Sequence, residues 1–134
     1  MMKHLPTFWC KLLFSTILFW GTAICRAQTF TNIRATQTMT VRALTQAPNG
    51  DMWFASGKTL YRFDGEKIYP YQSPVLDLSG VVNCLYADEE QLVRIGCERG
   101  LVLYYPEKNQ FEKVAELSQH NVRTIIPFNK SIWI

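Results

Sequence analysis

Histidine is scarce in this 134-residue chain: there are two, His4 and His120. That excludes a His-rich metal site. His120, between Gln119 and Asn121, reads as a solvated loop residue. Close cysteine pairs are missing too. Cys84 and Cys97 are too far apart for the C-x₂₋₄-C spacing of structural zinc, so no metal and no cofactor is expected. No P-loop and no GxGxxG occurs, and no two carboxylates have the spacing of an acid–base pair. Asp88-Glu89-Glu90 reads as a solvated acidic turn. Helical periodicity is absent after residue 27; Val114 to Gln119 reads as loop. A catalytic centre is therefore not expected in this chain.

Acidic residues are absent from residues 1–27, which hold Lys3, Lys11 and Arg26. The remainder carries 11 basic and 11 acidic residues, so the formal charge of +3 comes from the amino terminus. A balanced surface has no long-range attraction for phosphate, and nucleic acid is not an expected partner. The charged start precedes an apolar run from Leu12 to Ile24, then Cys25-Arg26-Ala27-Gln28. That is the layout of a secretory signal peptide cleaved between Ala27 and Gln28. An uncleaved anchor is an alternative, although the run is short for a span of ~20 residues. Lipidation at Cys25 is a third reading, disfavoured by Ile24 before it. No second apolar run of spanning length follows. The expectation is an exported, periplasmic chain, where a disulfide between Cys84 and Cys97 is chemically permissible. With Asp88 opposite Gln91, Cys84 would face Ile95 and Cys97 would face Val82. The two cysteines would then sit diagonally, which favours two small buried thiols.

What the sequence does contain is a repeat. Residues 41–69 align with 82–110 at an offset of 41 without a gap. Val41 meets Val82, Leu44 meets Leu85, Leu60 meets Leu101; Phe54 resembles Ile95, and Phe63 resembles Tyr104. A third copy begins at Val122, and its Ile132-Trp133-Ile134 echoes Met52-Trp53-Phe54 with one turn residue missing. Each copy parses into four short strands. In the first they are Val41–Gln46, Met52–Ser56, Leu60–Phe63 and Lys67–Tyr71, with Pro48-Asn49-Gly50 and Asp64-Gly65 as turns. Asp64-Gly65 has the signature of a two-residue I′ turn, both residues at positive φ. In the second copy Pro106-Glu107-Lys108-Asn109 makes a longer loop. The second strand of each copy is apolar on both faces, as in a strand buried from both sides. The fourth strands are more polar. Four strands per ~40–45 residues is the arithmetic of a β-propeller blade.

The run from Val41 to Gly65, with Leu44, Gly50, Trp53, Phe54, Leu60, Tyr61 and Asp64, resembles the two-component regulator propeller repeat. The second copy is similar through Val82, Leu85, Asp88, Ile95, Gly96, Gly100, Leu101 and Tyr104, and the third through Val122, Ile125 and Trp133. Arg94 replaces the usual Trp, Ala47 the usual Asp, and Cys97 a small hydroxyl residue. The resemblance implies an all-β chain of about two blades plus the start of a third. It implies the amino-terminal part of the periplasmic input region of a hybrid sensor histidine kinase. In that family many sensors respond to glycan fragments, and a small glycan is the implied ligand. The kinase core, its phosphoacceptor histidine and a transmembrane helix are implied to lie beyond residue 134 or to have been lost. No ligand-binding residue is implied within this chain.

The expected organisation is a signal peptide at 1–27, a lead-in at 28–40, repeats at 41–81 and 82–121, and a third repeat begun at 122–134. Other function classes stay open: a secreted propeller lyase or hydrolase with catalytic residues elsewhere, or a structural β-repeat protein. Thirteen aromatics follow residue 27. Trp53, Phe54 and Trp133 are expected in the core, Tyr69 and Tyr71 at the surface. A repeat cannot bury its faces alone. The expected partners are therefore remaining blades or further copies, and the isolated chain is expected to fold poorly or associate.

Overall fold

The structure, a computed structural model, describes residues 38–129 and 131–134. The cleavage site expected at Ala27 and Gln28 lies outside them.

Two antiparallel four-stranded sheets follow each other along the chain, and a hairpin comes after them. The first sheet holds β1 (Ala43–Gln46), β2 (Met52–Ser56), β3 (Thr59–Phe63) and β4 (Ile68–Tyr71) in sequence order. The second holds β5 (Val82–Ala87), β6 (Val93–Cys97), β7 (Gly100–Tyr105) and β8 (Gln110–Lys113) in the same order. β9 (Ile126–Phe128) and β10 (Ser131–Trp133) form the hairpin. The chain is thus nearly all β, in incomplete propeller-like repeats.

The register repeats as well. Thr45 pairs with Trp53, Tyr86 with Arg94 and Ile126 with Trp133, so these pairs hold one position in three successive units. Connections between units repeat in the same way. The Val82 N–H donates to the Gly57 carbonyl at 3.0 Å, and the Val122 N–H donates to the Cys97 carbonyl at 3.0 Å.

Alternation along a strand sends successive side chains to opposite faces. Trp53, Ala55, Leu60 and Tyr71 therefore share one face of the first sheet, and the row Ala87, Val93, Tyr104 and Phe111 lies on one face of the second. These two faces pack together as the core. Trp53, 3% exposed, meets Tyr71 at 5.4 Å and Tyr104 at 5.5 Å between ring centroids. Tyr104 meets Phe111 at 4.4 Å. Tyr71 is thus part of the contact between sheets. Its place on an outer strand had pointed to a solvated surface, but the outer edge here is roofed by the next sheet.

Three local expectations are corrected. A helix, α1 (Pro74–Ser79), links the sheets. Its signals are in the sequence: Ser73 caps it by accepting from the Val75 N–H, Pro74 stands in the first turn, and Gly80 ends it at φ 85. Six residues are too few for a 3.6-residue period to emerge. Leu76 carries its buried face and touches no solvent. A 3₁₀ turn likewise occupies Ala115–Leu117 within the stretch expected to be loop.

The β3–β4 turn is not a two-residue I′ turn. Phe63 pairs with Ile68, four residues form the loop, and of Asp64 and Gly65 only Gly65 has positive φ (102°). The Asp64 carboxylate accepts from the Glu66 and Lys67 N–H groups at 2.9 and 2.8 Å, which holds the longer loop.

The third correction concerns the last hairpin. Trp133 is 63% exposed, Phe128 58% and Ile134 52%, although this strand was expected to be buried on both faces. Among the described residues no sheet packs on that side.

Candidate binding surface at the turn ends of the blades

The β1–β2 and β5–β6 turns lie at one end of their sheets, and each is held by an Asp–Arg pair. Asp51 accepts from the Arg62 guanidinium at 3.1 Å, with the guanidinium 5.0 Å over the Tyr69 ring. Asp88 accepts from Arg94, whose guanidinium lies 5.8 Å over Tyr86. Asp88 also accepts from the Glu90 and Leu92 N–H groups at 3.0 and 2.9 Å. It is therefore a turn-holding residue, not a freely solvated acid. Arg94 stands where Trp53 stands one blade earlier, so the second blade carries a guanidinium paired to Asp88 where the first carries an indole. Arg62 Nε is buried without a hydrogen-bond partner.

A groove of about 360 Å³ runs between the second blade and the hairpin. Tyr86, Glu89, Phe128, Asn129, Ser131 and Ile132 line it together with Pro127. An aromatic face beside a carboxylate, an amide and a hydroxyl suits a polar ligand with an apolar side. A second depression of about 320 Å³ lies between the β5–β6 and β7–β8 turns, beside Glu90, Tyr105 and Lys108. Among the described residues no three His, Cys, Asp or Glu come together as a metal site.

The signature residues fall into several structural classes. Leu60, Val82, Ile95, Leu101, Tyr104 and Val122 are buried, as are Trp53 and Phe54. Tyr61 stacks on Phe54 at 5.1 Å. Gly50, Gly65 and Gly100 take positive φ in turns. Asp64 and Asp88 hold turns through their carboxylates. Gly96 is a close-approach position: a Cβ there would lie 2.3 Å from Cys84 Sγ and 2.6 Å from Val122 Cγ1. Val41 and Leu44 are 40% and 62% exposed, Leu85 and Ile125 are half-buried, and Trp133 is exposed. Of the signature residues none lines either depression; Asp88, beside the groove, holds its turn. Glu89, Asn129 and Ser131 carried no sequence signal as groove residues, because they come together only when the third unit packs beside the second.

Cys84 and Cys97 are free thiols. Val82 does oppose Cys97, but a bulge between Val82 and Cys84 puts Cys84 opposite Gly96 rather than Ile95. Burial raises the Cys84 thiol, and it pushes Cys97 up to about 12, with Cys84 adding to the effect. Both are poor nucleophiles in the folded chain. Hydrogen bonds from the Lys67 and Glu66 N–H groups hold Asp64 below the usual carboxylate range, and the neighbouring Asp64 carboxylate raises the Tyr69 phenol. His120 is exposed, and its carbonyl accepts from the Gly100 N–H at 2.8 Å.

No family model matches the chain, and no curated protein matches it. Among solved structures the chain is similar to the extracellular domain of a B. thetaiotaomicron protein described as a hybrid two-component system, with a TM-score of 0.53 and 23% identity. The match covers 69% of this chain and 15% of that one, so the chain spans a small part of the protein it matches. A likeness at this identity is one of fold. No helix among the described residues is long and apolar enough to cross a membrane.

Proposed function

We propose that this chain forms the first blades of a periplasmic sensory propeller. That propeller is the input region of a hybrid two-component sensor histidine kinase, which detects a small ligand of the glycan class. The chain itself is non-catalytic and reaches the periplasm through an amino-terminal signal peptide. The observation that carries this reading is the pair of successive four-stranded sheets in the same register, with a hairpin repeating that register a third time. Similarity of fold to an extracellular domain of a hybrid two-component system supports it. In this reading the blades act as a rigid frame. The Asp–Arg pairs fix the turns, the groove between second and third units is the first place for a sugar to touch, and binding shifts the packing of neighbouring blades.

The test is the coding sequence downstream of residue 134. The expected result is further repeats in the same register, a membrane span, and a kinase core with a phosphoacceptor histidine. A His-and-acid cluster in later blades, with no span and no kinase core, would replace the sensor by a secreted lyase or hydrolase. A stop codon with no such gene beyond it would sink the sensor reading.

A further inference from the structure

The chain holds six asparagines, followed by Ile33, Gly50, Cys84, Gln110, Val122 and Lys130. Asn49 alone precedes a glycine. The backbone nitrogen of a following residue attacks an asparagine amide most readily when no Cβ hinders its approach. Gly50 has no Cβ, and no atom lies within 4 Å of where one would stand. Asn49 and Gly50 are both exposed, so water reaches them. The Asn49 side chain is held over its own turn. Its Oδ1 accepts from the Asp51 N–H at 3.1 Å, which draws electrons from Cγ. Its Nδ2 donates to Asp51 Oδ2 at 3.0 Å, and the same Oδ2 accepts from the Arg62 guanidinium at 3.1 Å. The second inner turn, closed by the matching bond from Gln91 to Asp88, has Glu90-Gln91 in place of Asn49-Gly50. This chemistry therefore belongs to the first blade's turn and not to its repeat.

We propose that Asn49 is a site of spontaneous covalent modification, the deamidation of its side chain, and that the product loosens the β1–β2 turn. The Gly50 N–H first leaves the Ala47 carbonyl, to which it donates at 2.9 Å. Its proton passes to hydroxide, and the nitrogen forms a bond to Asn49 Cγ. The Cγ–Nδ2 bond breaks, and Nδ2 takes a proton from water and departs as ammonia. One water then opens the cyclic imide, at Cγ to give aspartate or at the backbone carbonyl to give isoaspartate. Nothing is oxidised or reduced, and water is the co-reactant. Aspartate puts a carboxylate where an amide donor faced Asp51, so an attraction at 3.0 Å becomes a repulsion beside the Asp51–Arg62 pair. Isoaspartate adds a methylene to the backbone, which shifts the turn's bonds between Gly50 and Ala47 and between Ala47 and Asp51. The inference goes beyond the sensor reading and does not depend on it.

The site is tested by peptide mapping in a mass spectrometer, on the full chain kept folded in mildly alkaline, heavy-oxygen water. The expected result is conversion at Asn49 at least roughly tenfold faster than at any other asparagine, because only Gly50 leaves its nitrogen open. Each converted chain should take up one solvent oxygen. Conversion no faster at Asn49 than elsewhere would overturn the proposal. So would conversion at Asn49 seen only in urea, since the folded turn would then shield it. The consequence is tested with Asn49→Asp, which supplies one product directly. Its urea midpoint should fall below the parent's, and added salt should bring the two together by screening. In an Asp51→Asn background the same substitution should leave the midpoint nearly unchanged, which a double-mutant cycle reads as coupling between positions 49 and 51. No fall in the midpoint, or an equal fall in both backgrounds, would overturn the claim that the new charge acts on Asp51.

Discussion

At the residue scale the two blades solve one packing problem in two ways. Ala43 opposes Ala55 in the first, and Cys84 opposes Gly96 in the second. The larger thiol is accommodated because its partner has no side chain. A methyl group on Gly96 would meet both Cys84 Sγ and Val122 Cγ1, so Gly96→Ala should cost about 1–3 kcal/mol by overpacking. Adding Cys84→Ala recreates the Ala–Ala pair of the first blade and should recover part of that loss. A double-mutant cycle from urea unfolding measures the coupling. Buried acids weaken the fold at alkaline pH, Cys97 and Tyr104 most strongly. Burial pushes the Cys97 thiol up to about 12. It pushes the Tyr104 phenol up to about 12 as well, with Tyr71 adding to it. Both values lie above those of the unfolded chain, ~8.5 for a thiol and ~10 for a phenol. The unfolded chain therefore loses these protons first. The contribution is complete below pH ~8.5 and is lost as pH rises towards about 12. Urea midpoints taken across that range should fall, and Cys97→Ala should flatten the early part of the decline.

Elements repeat more faithfully than the residues that build them. The first inner turn uses Gly50 at φ 93, and the second uses Gln91 at φ 65 in the same place. Both turns close with the same bonds: Gly50 N–H to the Ala47 carbonyl, and Gln91 N–H to the Asp88 carbonyl. An L side chain in this region is strained, so Gln91→Gly should stabilise the chain by about 0.5–1 kcal/mol. Gly50→Ala should destabilise it by about 1 kcal/mol, from backbone strain alone, because nothing lies within 4 Å of the added methyl. Thermal melts of the two variants should move in opposite directions. The second turn tolerates its glutamine because Asp88 binds two backbone N–H groups and Arg94. Asp88→Ala leaves those donors short of a partner and should cost about 1–3 kcal/mol, read from the urea midpoint.

For the molecule as a whole, the contact between blades matters more than either blade. Trp53 joins them, touching Tyr71 on its own sheet and Tyr104 on the next. Trp53→Ala should cost about 3–5 kcal/mol and broaden the melt as the sheets uncouple. Trp133→Ala, at the equivalent position in the third unit, should leave stability within about 0.5 kcal/mol, because most of that ring is already in water. Comparing the two melts separates a tryptophan that is covered from one that is not.

The sequence by itself determined the strand arithmetic and the turns, because apolar alternation and turn residues act over a few neighbouring positions. Three of the first blade's strands begin within two residues of where the pattern places them, and its second strand matches at both ends. It also carried the caps of α1 in Ser73, Pro74 and Gly80, a signal too short to show as a period. Tertiary structure alone decided which apolar residues are covered. Trp53 and Trp133 hold the same place in their strands, each paired across a hairpin with the strand before it. They differ in burial because Trp53 has a third strand beside it and a sheet packed on it, and among the described residues Trp133 has neither. The same holds for Tyr71 and for the groove between Tyr86 and Asn129. Their surroundings come from chain segments some 40 residues away in sequence, the distance of one repeat. A strand can specify its own pleat, whereas burial of its face depends on the sheet that comes to lie against it.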